Sequence, residues 1–133
     1  MSFERDLKDF ELKFTDASNE FVQGTEIALF NAVIMDTPVA IGHLVGNWQT
    51  STKNPASGVL TDPDPGRAAT VAKMTSFVES LKGGRVTFLT NNLPYAMPIE
   101  YGHSKIKAPQ GMVRRNVTRF QAIVKEQAAE HRL

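Results

Sequence analysis

The sequence predicts an α+β fold, a small mixed or antiparallel sheet packed against about four helices. Three observations carry that reading. Apolar residues recur at helical spacing in separate stretches, short segments between them have the composition of strands, and two long polar loops, at 53–67 and 102–110, interrupt the pattern. At 133 residues the chain suits a single domain with its own core, residues 1–19 being an N-terminal helix and a candidate peripheral arm.

Phe3, Leu7, Phe10 and Phe14 fall at spacings of four, three and four, one face of a helix. Thr15, Asp16, Ser18 and Asn19 favour caps and turns, so the sequence predicts a break there and a second helix from about residue 20. That helix is apolar over a wide arc through Val22, Ile27, Leu29, Phe30, Val33 and Ile34 and reads as the central core helix. Thr37-Pro38 should end it, because the residue before proline is pushed out of helical geometry.

After a turn at Gly42, residues 44–52 read as a strand with Leu44, Gly46, Trp48 and Thr50 on one face. The polar connection at 53–67 holds Pro55, Pro63, Pro65, Gly58 and Gly66, and is expected to be mobile until it docks. Val71, Met74, Val78 and Leu81 mark a third helix, closed by Gly83-Gly84. Residues 85–91 alternate as a strand, and Asn92-Leu93-Pro94 turns the chain into a further extended segment at 95–101. The last helix begins near Gln110 with Val113, Val117, Phe120 and Val124 as its apolar stripe. The expected order is αα-β-α-ββ-α.

Bulk composition excludes several function classes. A net charge of +1 gives no general attraction to nucleic acid or membranes. The absence of cysteine removes disulfides, thiolate metal sites and cysteine nucleophiles, and fits a reducing cytoplasm. The opening residues lack the apolar core of a signal peptide, and the longest apolar run, residues 27–35, is too short to span a bilayer.

Residues that could do chemistry are sparse. His43, His103 and His131 are the only imidazoles, and none sits in a metal-binding pair. A metal-dependent hydrolase would have to converge Asp36, His43, Glu100 and His103 from distant segments; histidines in surface turns are the simpler reading. Ser104 has no nucleophile elbow around it. Asp62 and Asp64 lack the further ligands of a calcium loop and read as loop corners. No cofactor is expected, and no enzyme chemistry is written in the chain.

Basic residues gather late, at Lys105, Lys107, Arg114, Arg115, Arg119 and Lys125, whereas the first third is acidic through Glu4, Asp6, Asp9, Glu11, Asp16 and Glu20. The plain reading is a solvated helix face opposite Val113, Val117 and Phe120. The alternatives are an electrostatic contact between subunits, acidic N-terminal helix against basic end, or an accessory surface that meets DNA phosphates through Arg114, Arg115 and Arg119.

Three segments, taken together, resemble neck (head–tail joining, tail-completion-like) proteins of long-tailed bacteriophages. The first is Thr37-Pro38-Val39-Ala40-Ile41-Gly42-His43-Leu44 running into Gly46-Asn47-Trp48-Gln49. The second is Asn91-Asn92-Leu93-Pro94-Tyr95-Ala96 followed by Ile99-Glu100-Tyr101-Gly102-His103-Ser104. The third is Ala108-Pro109-Gln110-Gly111-Met112-Val113. Their order and separation are similar from about Val22 onward. The chain departs from the pattern at Ala40 and Ile41, where an acid and a threonine are usual, and at His43, where a basic residue is common.

The resemblance implies a structural virion protein at the head–tail junction, synthesised in the host bacterial cytoplasm and not an enzyme. It would assemble as a homo-oligomeric ring, a DNA conduit that lets genomic DNA pass without sequence recognition. Its partners would be itself, head-completion or connector proteins, and tail-terminator or tail-tube proteins, with no membrane; a tail-completion or tail-terminator ring is the neighbouring alternative. Trp48, Tyr95 and Tyr101 are the large amphipathic residues suited to anchor a contact. Pro63 and Pro65 would stiffen one arm, and His103, Lys105 and Lys107 belong to the other. The rival place for Trp48 is the core.

Overall fold

The computed structural model describes residues 3–39, 42–81, 86–101 and 111–130, and in the first helix the side chains from residue 19 onward. The fold is α+β: six helices and one two-stranded antiparallel sheet among the described residues.

Helix α1 runs unbroken from Phe3 to Met35, 33 residues or about 50 Å. The break expected near residues 16–19 does not occur. Serine, aspartate and asparagine only mildly disfavour a helix interior, and no proline follows to remove a backbone hydrogen bond, so the ladder continues. Phe30, Val33 and Ile34 of α1 are buried, with Ile27 and Leu29 packed beside them. Thr37-Pro38 ends the helix as expected. The Thr37 hydroxyl donates to the Val33 carbonyl at 2.7 Å, answering one of the open groups at the terminus.

Residues 44–52 do not form one strand. Helix α2, His43–Gly46, comes first, and strand β1 is only Gln49–Thr52. Leu44 and Val45 are both buried, which alternation in a strand forbids and a helical turn permits. Gly42 sets up the turn. Its φ of +81° is left-handed, its carbonyl accepts from both Gly46 and Asp64 at 2.9 Å, and a Cβ there would strike the Pro65 backbone.

Helix α3, Ala68–Glu79, buries Thr70, Met74 and Val78 against α1 and β1. Its start is capped from a distance: Asp64 Oδ2 accepts from the Thr70 amide at 2.7 Å and the Thr70 hydroxyl at 2.8 Å. Those bonds, the Thr70 amide foremost, hold the Asp64 carboxyl below its ordinary value despite some desolvation, and Lys73 assists. The helix ends at Glu79 with Ser80 as its C-cap, its amide bonded to the Ser76 and Phe77 carbonyls, so Leu81 lies past it and the stop comes before the expected Gly83-Gly84, which lies outside the described residues.

Strand β2, Thr87–Thr90, pairs antiparallel with β1, Gln49 opposite Thr90 and Thr52 opposite Thr87. The extended segment expected at 95–101 is instead helix α4, Ala96–Glu100. Pro98 is tolerated there because amides of a first helical turn have no intrahelical partner to lose. The last helix is interrupted at Arg119, giving α5, Val113–Thr118, and α6, Phe120–Glu130. Its buried residues are Met112, Asn116 and Ile123, one position out of register with the expected stripe. Val113, Val117 and Phe120 stay exposed.

Candidate interaction surface

Two polar fasteners and one pinned loop organise the surface. The first fastener centres on Glu100, at the end of α4. Only 8 % exposed, it turns its carboxylate onto the start of α5. Oε1 accepts from the Met112 and Val113 amides at 2.7 Å each, and Oε2 from the Arg114 amide and Nε at 3.0 Å. The Arg114 guanidinium also donates to the Glu100 carbonyl and lies 4.9 Å over the Tyr101 ring. Burial pushes the Glu100 carboxyl up, but the Val113, Arg114 and Met112 amides together with the guanidinium outweigh it and hold the group below its ordinary value. Gly111, at φ +83°, lets the backbone pass; a Cβ would sit 2.7 Å from the Glu100 carbonyl oxygen.

The second fastener is Asp36, just past α1. Its Oδ2 accepts from Asn116 Nδ2 at 2.8 Å and stands 3.8 Å from Arg115 Nε and 3.7 Å from Arg119 Nη1. Asn116, fully buried, also donates to the Met112 carbonyl at 2.8 Å. The three arginines proposed to meet DNA thus each face a carboxylate of their own chain. Half their side-chain surface remains open, and because Arg115 and Arg119 share the single carboxylate of Asp36, one positive charge of the three is left unmatched.

The 53–67 loop is tied down rather than hanging free. Asn47, fully buried, grips Leu60 from both sides: its Oδ1 accepts from the Leu60 amide at 2.7 Å and its Nδ2 donates to the Leu60 carbonyl at 3.0 Å. His43 Nε2 reaches the same carbonyl at 2.9 Å. Gln49 donates to Gly58, and Asn92 to Ala56 and Gly58, at 2.9–3.1 Å. Side-chain amides here replace the ladder that a strand would have supplied.

Of the residues singled out from sequence, Trp48 is a core residue. It is 8 % exposed, and its indole donates to the Thr37 hydroxyl at 2.8 Å, which leaves it nothing to offer a partner. Pro63 and Pro65 are exposed on the pinned loop, as are Tyr95 and Tyr101 on either side of α4. His103, Lys105 and Lys107 lie outside the described residues. Of the candidate metal set, His103 lies outside the described residues, Glu100 is committed to capping α5 and Asp36 to Asn116, and no group of three metal-binding side chains converges among the described residues. Asn47 and Asn92 stood out only as members of the resembling segments and Asn116 not at all, because an asparagine has no periodicity to reveal its role. No described helix is long and apolar enough to cross a membrane.

Comparison of the chain with protein-family models, with curated proteins and with solved structures gave no match.

Proposed function

We propose that this chain is a structural subunit of the neck of a long-tailed bacteriophage, a ring component at the head–tail junction that works by shape and self-association without catalysis. The observation that carries the reading is the ordered set of three sequence segments that resemble the neck proteins. The structure supports it in one way. Residues of those segments are fasteners of this fold: Thr37 with Trp48, Asn47 with Leu60, Asn91 with the Leu44 carbonyl, and Glu100 with Met112 and Val113. A resemblance concentrated in such positions is one of scaffold, and a scaffold is what a ring subunit contributes. A tail-completion or tail-terminator layer of the same junction suits the same features.

Native mass spectrometry and negative-stain imaging of the protein, alone and with head-completion, connector and tail-tube proteins, test the reading. Rings that join those partners are expected. A persistent monomer with no affinity for any head or tail component would overturn it.

A further inference from the structure

Among the described residues, an apolar band stays exposed on one side. Val22, Val113, Val117 and Phe120 are 38, 39, 59 and 42 % exposed. A groove of about 280 Å³ between α1 and α6 has Phe21, Val22, Leu29, Phe120 and Val124 in its walls. A second hollow of about 130 Å³ continues it where Leu29 and Val33 meet Val113 and Val117. Those last two valines also line the cavity of about 810 Å³ beside Arg114, Arg115 and Arg119. The band is therefore continuous, with half-exposed cations at one end.

The same chain carries a segment of matching chemistry. Gln23 of α1 donates to the Leu81 carbonyl, just past the end of α3, and α1 runs on for twenty more residues toward Phe3, about 30 Å beyond that point. On that stretch the sequence sets Phe3, Leu7, Phe10 and Phe14 in a single helical register, with Asp6 and Glu11 bordering it about 70° to either side. Residues 1–20 hold six acids, Glu4, Asp6, Asp9, Glu11, Asp16 and Glu20, against three bases, Arg5, Lys8 and Lys13.

We propose that the band receives the N-terminal stretch of α1 from a second copy of this chain. A chain cannot fill its own groove this way. Phe21, Val22 and Leu29 of α1 form one wall, and a continuous helix does not fold back onto its own later turns. Anchors at i, i+4, i+7 and i+11 are the pattern by which a helix lies in an apolar groove. The acidic border of the stretch complements Arg115 and Arg119, half exposed at the end of the band with the one carboxylate of Asp36 between them. Each copy offers one stretch and one groove, so the contact is head-to-tail and closes into a ring when the rotation allows. The inference deepens the ring reading and rests on it for that closure.

The full-length protein and two variants, Phe10→Glu and Val117→Glu, provide the test by native mass spectrometry and sedimentation. Val117 is an exposed residue, so its variant should keep the circular dichroism and melting of the parent. Wild type should be oligomeric, and each variant should associate about 30-fold more weakly or less. Because the chain has no cysteine, a mixture of Phe10→Cys and Val117→Cys proteins should form a disulfide-linked heterodimer on oxidation, and neither should cross-link alone. Rings that persist in both glutamate variants, with no heterodimer from the cysteine pair, overturn this contact and leave the ring reading standing. A wild type that stays monomeric at every concentration, with and without head and tail proteins, overturns both.

Discussion

Replacing Glu100 with glutamine should destabilise the protein by about 2 kcal/mol at neutral pH. The carboxylate accepts four hydrogen bonds, three of them from the Met112, Val113 and Arg114 amides that open α5. The amide retains one acceptor oxygen and turns a donor toward groups that are themselves donors. Loss of a helix cap costs roughly 0.5–2 kcal/mol and a stranded buried donor about 1–3 kcal/mol, which places the net near 2. For a chain of this size that corresponds to a fall in melting temperature of about 8 °C. The dependence on pH gives a second, sharper readout. Glu100 binds its proton less readily folded than unfolded, where its value is near 4.5, so its stabilisation is complete above that value and is lost as pH falls through the lower folded one. Thermal and urea denaturation between pH 7 and pH 3 should therefore show a shallower acid limb in Glu100→Gln than in wild type. Equal midpoints at pH 7 and superimposable acid limbs would refute the assignment of Glu100 as the cap of α5.

Asn47→Ala should free the 53–67 loop and accelerate its proteolysis severalfold while costing about 2 kcal/mol, because the Leu60 amide and carbonyl lose their shared partner; unchanged cleavage would show that Gln49, Asn92 and His43 suffice. Gly42→Ala should cost about 3 kcal/mol or more, since a left-handed φ is combined with a collision against Pro65, and a melting temperature within 2 °C of wild type would argue against that geometry. At the Asp36 cluster, Asn116→Ala should destabilise by about 2 kcal/mol, but Arg115→Ala and Arg119→Ala by less than about 1 kcal/mol each, as their pairs are long and half exposed; urea titration of the three variants orders them directly.

The parts of this fold that depend on neighbours in sequence were legible. The spacing of Val71, Met74 and Val78 marks α3, Thr37-Pro38 ends α1, and the alternation around Phe88 and Leu89 marks β2. Local rules failed where they were weak. Four cap-forming residues within five positions cost a helix too little to break α1, and alternation through Leu44, Gly46 and Trp48 concealed a helical turn that Gly42 and Asp64 enforce from twenty-two residues apart. The candidate surface was less legible still. Trp48 suits a core and a contact equally well by type, and only the Thr37 hydroxyl decided between them.

By itself, the sequence determined which stretches are apolar and at what period, and hence the α+β class and most of its elements. Only the tertiary structure decided which face each stretch buries. The last helices carry two adjacent registers, Met112-Asn116-Ile123 and Val113-Val117-Phe120, and hydrophobicity favours the second. The first is buried because the Asn116 amide finds Asp36, eighty residues away, and because Glu100 fixes the start of α5 from outside it. Hydrogen-bond partners so distant in the chain are brought together by packing alone, which no local pattern encodes.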